Sequence, residues 1–179
     1  MAAYYVQSLF IFFAIFSLLG GLVASLYFAR LDSSARYWVV AALIGGVINM
    51  ATVFREDLPP LWSYSIPIGL GGASFVLMGL GIARLYNKGP QWRSLVGLGA
   101  GTLVFIAVME WARVHAGPRV TLLLSGGLFG LTSLWGAYFA HVHYQRSSNQ
   151  FSMHMRWVMV SLGLFHLLRT QGVITGWGV

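Results

Sequence analysis

Six apolar runs, at residues 4–29, 37–54, 61–86, 94–112, 120–144 and 157–177, alternate with short polar segments along the 179-residue chain. A helix crosses a hydrocarbon core with roughly 20 apolar residues, so every run has spanning length. None shows a polar face recurring at the helical period, as a helix on a water-soluble core would. The short alternating strands of a membrane β-barrel are missing too. Lipid offers no partner to a bare peptide group, so the runs must be helices. The pattern predicts an all-α integral membrane protein, a six-transmembrane-helix bundle forming a single polytopic domain over residues 1–179. The first run exceeds a signal-peptide core and no small-residue cleavage site follows it, so a retained helix is expected.

Hydrophobic residues make up 58% of the chain and charged residues 8%, which leaves no stretch for a separate soluble domain. A net charge of +7 would suit nucleic acid, but the eleven Lys and Arg stand singly or in pairs at the ends of runs. Nucleic-acid binding needs a clustered patch on a soluble face, so it is not expected. The cations set orientation instead. The first, third and fifth connecting segments hold Arg30, Arg36, Arg84, Lys88, Arg93, Arg146 and Arg156, against Arg55, Arg113 and Arg119 on the other side. That excess places the N-terminus outside a membrane expected to be the bacterial inner membrane. Trp38, Trp62, Trp92, Trp111, Trp157 and Trp177 fall near run ends, where an amphipathic ring is stable, whereas Trp135 is internal and expected to pack. Pro59-Pro60, Gly89-Pro90 and Gly117-Pro118 break the chain between runs, and Pro67 predicts a local kink in the third.

Glycine pairs at Gly20-Gly21, Gly45-Gly46, Gly71-Gly72 and Gly126-Gly127 mark four of the runs. Gly97 with Gly101, and Gly126 with Gly130, add small-xxx-small spacing. A helix without Cβ atoms on one face lets a neighbour approach closely, and close packing is the reading taken for these positions.

Ionisable side chains inside spans are expensive, so each is a functional candidate. The topology brings Asn49, Glu110, His166 and Arg169 to the middle or outer half of the membrane, and Arg55, Ser63, Tyr64 and Ser65 to the same side. Together they predict a polar pocket open to the outside. The structural alternative is that Glu110 pairs with Arg113, three residues on, and that His166 and Arg169 share a face and hydrogen-bond a neighbouring helix.

Other chemistry finds no support. The chain has no cysteine, which removes disulfides and thiolate metal sites. A membrane haem needs facing imidazoles at one depth. His141, His143 and His154 lie at one boundary, His115 lies in an external segment, and His166 sits roughly 13 Å deeper. Lys88, the sole lysine, lies between runs, which argues against a retinal site. No phosphate loop, zinc-protease motif or Ser/His/Asp set is present. Neither cofactor, nor metal, nor catalytic activity is expected.

Three stretches carry a resemblance: Arg36-Tyr37-Trp38 through Gly45-Gly46, then Phe54-Arg55-Glu56-Asp57-Leu58-Pro59, then Gly81-Ile82-Ala83-Arg84 closing the third run. They resemble the multi-helix membrane sensor domain at the N-terminus of bacterial diguanylate cyclases (GGDEF proteins) and some histidine kinases. Arg156-Trp157 through Leu167-Leu168-Arg169 is similar to the sixth helix of that family. The chain departs from the pattern at Ser63-Tyr64-Ser65-Ile66-Pro67, where the family commonly has a Ser and a downstream Asn. No seventh span, GGDEF segment or phospho-acceptor helix follows Arg169. The resemblance implies a sensory module lacking its output domain, either cut from a longer chain or acting through a partner protein. From the residues alone, two other readings stand beside it. One is a structural or accessory subunit of a larger membrane complex, with membrane lipids and protein neighbours as partners. The other is a small transporter with a midplane site near Pro67 and Glu110 as its coupling carboxylate.

Overall fold

The computed structural model describes residues 2–28, 30–85, 92–148 and 150–175. They form α1 (Ala2–Leu26), α2 (Ser33–Val53), α3 (Ile66–Arg84), α4 (Trp92–His115), α5 (Gly117–Ser147) and α6 (Gln150–Thr175), with a π-helical turn at Leu61–Ser65 and no strand among the described residues. Lys88, the Gly89-Pro90 break and Trp177 lie outside the described residues. Among the described residues five segments are long and apolar enough to cross a membrane: Gln7–Leu26, Ser33–Val53, Leu61–Arg84, Trp92–His115 and Gly117–Ser147. The sixth helix, which carries Arg156, His166 and Arg169, stands outside that set.

Local chemistry explains the helix ends. Asp32 caps α2 by accepting from the Ser34 N–H at 2.6 Å, one of the donors a helix start leaves unpaired. Pro67 lacks the N–H that an α-helix would direct back to Ser63. The chain ahead of it widens into the π turn, closed by the Ile66 N–H donating to the Leu61 carbonyl five residues back. The irregularity expected at Pro67 is therefore a π turn just before it. Gly117 turns the chain between α4 and α5 with φ +83°, a left-handed conformation that glycine adopts without strain.

The third helix is the hub. Twelve of its nineteen residues are buried, and it packs against α2, α4 and α5. Each neighbour seats a large side chain on one of its glycines. Ile106 of α4 lies on Gly69, Phe129 and Leu128 of α5 on Gly71 and Gly72, Trp135 of α5 on Gly79, and Trp38 of α2 on Gly81. A Cβ added at Gly79 would fall 2.7 Å from Trp135, and one at Gly81 would fall 2.6 Å from Trp38. Trp38 is thus a packing residue, its ring also 6.3 Å from Phe151. Trp62, Trp92 and Trp111 are exposed at helix ends, and Trp157 is exposed two turns inside α6. Hydrogen bonds reinforce the contact of α2 with α3: Ser34 Oγ donates to the Gly81 carbonyl at 2.7 Å and Ser74 Oγ to the Ala41 carbonyl at 3.1 Å.

The outer helices dock by reciprocal exchange. Leu43 of α2 sits on Gly21 of α1, and Leu18 of α1 sits on Gly46 of α2. Likewise Leu167 of α6 sits on Gly130 of α5, and Leu134 of α5 sits on Gly163 of α6. Thr170 of α6 lies against Gly126.

Five glycines depart from the packing expectation. At Gly20, Gly45, Gly97, Gly101 and Gly127 an added Cβ would meet nothing within 4 Å. Adjacent residues on a helix point about 100° apart, so when Gly46 faces α1 its neighbour Gly45 does not. Gly97 and Gly101 lie in the part of α4 that stands away from the bundle. That helix buries only Met109 and Ala112, both nearer its other end.

Replacing Gly130 or Gly163 with Val is expected to destabilise the bundle by about 1–3 kcal/mol through overpacking. Ala at Gly97 or Gly101 should stay within about 0.5 kcal/mol of the parent. Denaturation in detergent micelles measures both.

Candidate functional site

The carboxyl ends of α2, α4 and α6 meet the amino ends of the π turn and α5 at one end of the bundle, and two adjoining cavities open there. The first has a volume of about 560 Å³ and the second about 520 Å³. Arg55, Tyr64, Ile68, Phe129 and Arg169 line both and form their common wall. Asn49, Thr52, Ser63 and His166 add polar groups to the first cavity, while Phe10, Ile48 and Phe75 make its apolar side. Arg113, Thr121 and Ser125 belong to the second.

Six of the eight residues singled out in the sequence, Asn49, Arg55, Ser63, Tyr64, His166 and Arg169, therefore line one cavity although they come from three separate parts of the chain. The other two, Ser65 and Glu110, line neither cavity and meet each other instead. Ser65, fully buried at the end of the π turn, donates its hydroxyl to Glu110 Oε2 at 2.6 Å. Arg113 grips the same carboxylate with both arms, Nε to Oε2 at 2.9 Å and Nη2 to Oε1 at 2.5 Å. Glu110 thus ties the π turn to α4, and the guanidinium that holds it forms part of the second cavity's wall. Bidentate geometry makes this a directional tie rather than a loose surface pair.

His166 does not hydrogen-bond a neighbouring helix, as one expectation had it. Its ring lies 5.2 Å from Phe129 and 6.0 Å from Phe75, edge-on to the latter, and its Nδ1 is buried with no hydrogen-bond partner. Most buried polar atoms are paired, so this one marks a place where the protein leaves a polar group unused. Gly45, open on its Cβ side, lines the same cavity.

Phe10, Phe75 and Phe129 had no distinguishing signal, because phenylalanine is common wherever a helix faces lipid. A second polar cluster, at the opposite end of the bundle, was also not anticipated. Buried His143 shares a hydrogen bond with Ser152 across the turn between α5 and α6, and Arg156 Nη1 donates to His141 Nδ1 at 3.0 Å. The signal for it was polar residues flanking a short turn at facing positions. Among the described residues, no group of His, Asp and Glu side chains converges to hold a metal ion.

Ser65→Ala should lower stability by about 1 kcal/mol in the parent chain. In a Glu110→Ala background the same change should be neutral or stabilising, since the hydroxyl is then a buried donor without its acceptor. A double-mutant cycle followed by thermal denaturation reads that change of sign. No protein-family model, curated protein or solved structure matches the chain.

Proposed function

We propose that this chain is a membrane-embedded sensory and relay module, without catalytic activity of its own, that binds a small molecule in the paired cavities and acts through an output partner. The observation that carries the reading is the composition of the first cavity's wall. Side chains from α1, α2, the α2–α3 connection, the π turn, α3, α5 and α6 all reach it. A molecule lodged there touches almost every helix, so its binding free energy can favour one arrangement of the bundle over another, which any ligand-driven switch requires. The Ser65–Glu110–Arg113 tie extends the same wall to α4.

In this reading the chain crosses a bacterial inner membrane six times with its N-terminus outside. The close lengthwise packing of α6 on α5 supports the sixth crossing, because a partner of a 31-residue apolar helix shares its slab. His166 of α6 faces the cavity, and Arg169 near that helix's end reaches the same polar space, where neither needs lipid as solvent. The excess of cations on the first, third and fifth connecting segments supports the orientation.

One observation favours a second reading, an accessory subunit of a larger membrane complex. Gly97, Gly99 and Gly101 of α4 and Gly20 of α1 present faces with open space where another helix fits closely.

Purification in mild detergent, with co-eluting polypeptides identified by mass spectrometry, separates the two. Recovery alone or with a cyclase or kinase is the expected result, and a stoichiometric large assembly would overturn the sensory reading. The chain contains no cysteine, so single cysteines report orientation cleanly. Glu56→Cys should react with a membrane-impermeant maleimide in intact cells, and Ser148→Cys only after lysis.

A further inference from the structure

We infer that the ligand of the paired cavities is an amphiphilic oxyanion, a carboxylate or phosphate joined to an apolar chain or ring. The inference rests on the reading of these cavities as a ligand site and goes on to name the ligand's chemistry.

Arg55 and Arg169 line both cavities, and neither makes a hydrogen bond or ion pair among the described residues. Of the two other guanidiniums at this end, Arg113 is occupied by Glu110, whose two oxygens it takes, and Arg119 lines neither cavity. The nearest acids in sequence, Glu56 and Asp57, are exposed beside Arg55 and pair with neither free guanidinium. Two uncompensated guanidiniums at a cavity mouth, in a chain with an excess of cations and a net charge of +7, make a field that favours an anion. Their forked N–H groups match the planar oxygens of a carboxylate or the oxygens of a phosphate. Asn49, which lines the first cavity, supplies a further side-chain amide with no hydrogen-bond partner among the described residues.

The rest of the cavity is of the opposite kind. Phe10, Ile48, Phe75 and Phe129 face the same space as the two arginines. An inorganic anion would leave that surface unfilled, and a pure hydrocarbon would leave the guanidiniums bare. A molecule with an anionic head and an apolar body satisfies both. A volume of about 560 Å³ admits a ligand of small-molecule size. Gly45 lines the cavity and a Cβ added to it meets nothing within 4 Å, so the position has room for a larger side chain beside the site.

The test is calorimetric titration of the whole chain in phosphatidylcholine nanodiscs, with empty discs as the blank for partitioning. Octanoate is the probe and octanol its uncharged counterpart. Octanoate should bind saturably at one site and octanol should not. Arg55→Gln and Arg169→Gln should each weaken octanoate by about tenfold or more, the loss of a charge-assisted hydrogen bond. Gly45→Leu should weaken it by filling the cavity while leaving every charge in place. Repeating the titration in phosphatidylglycerol discs identifies the source. Octanoate excluded there means a lipid headgroup occupies the site, and octanoate unaffected means a free amphiphile does, both within the class proposed. Equal binding of octanol and octanoate, or arginine variants that bind like the parent, would overturn the anionic assignment. If that binding is still lost in Gly45→Leu, the cavity remains a ligand site and only the ligand's charge is wrong. Absence of saturable binding by either probe also overturns it, while the sensory reading stands or falls separately on what co-purifies.

Discussion

A helix can receive neighbours on several sides only if its own side chains leave room, and α3 leaves that room with glycine. Gly69, Gly71, Gly72, Gly79 and Gly81 are spread around and along it, and each lies beneath a bulky side chain of α2, α4 or α5. In lipid there is no aqueous penalty to drive apolar helices together, so close contact and dispersion must do it. Side chains at those five positions would hold the neighbours away and remove the contacts that define the bundle.

From that centre the rest of the arrangement follows. The neighbours α2 and α5 take up α3, and each has a flank left over for one more helix. The flanks are filled by the same device, a leucine from each helix lying on a glycine of the other, at the contact of α1 with α2 and again at that of α5 with α6. With α2 resting on α3 and α6 resting on α5, the space between α2 and α6 at one end of the bundle is left to the first cavity. At the opposite end polar contacts join Ser34 to Gly81 and His143 to Ser152, beside a separate cavity of about 550 Å³ lined by Phe28, Arg36, Arg84 and Trp92.

Much of this was legible in the sequence, and what was not has a physical cause. Runs of apolar residues located the first five helices, the third taken with its π turn, to within four residues, because lipid demands a length and forbids an alternative. By contrast, α6 begins at Gln150, seven residues before its run. The sequence also singled out Asn49, Arg55, His166 and Arg169, since a charge or amide in an apolar run needs a reason, and alternating helix direction gave them a common depth. Depth is one coordinate of three. It could not show that Ser65 and Glu110 face each other 45 residues apart rather than the cavity, or that Trp38 turns inward to Gly81 while Trp62 stays outside. Nor could it separate Gly46, which carries Leu18, from Gly45 beside it, which carries nothing. Glycine advertises room, and only the partner helix decides whether the room is used.

The π turn ahead of Pro67 carries one more residue in its hydrogen-bonded ring than an α turn does. Tyr64 sits within that turn and lines both cavities. If the ring tightened by one residue, the side chains before it would rotate by roughly a quarter of a turn relative to α3, one helical step. Tyr64 would then leave the common wall. The place of Tyr64 in that wall, beside Arg55, Ile68, Phe129 and Arg169, is therefore fixed by a backbone register rather than by the gradual give of packed side chains.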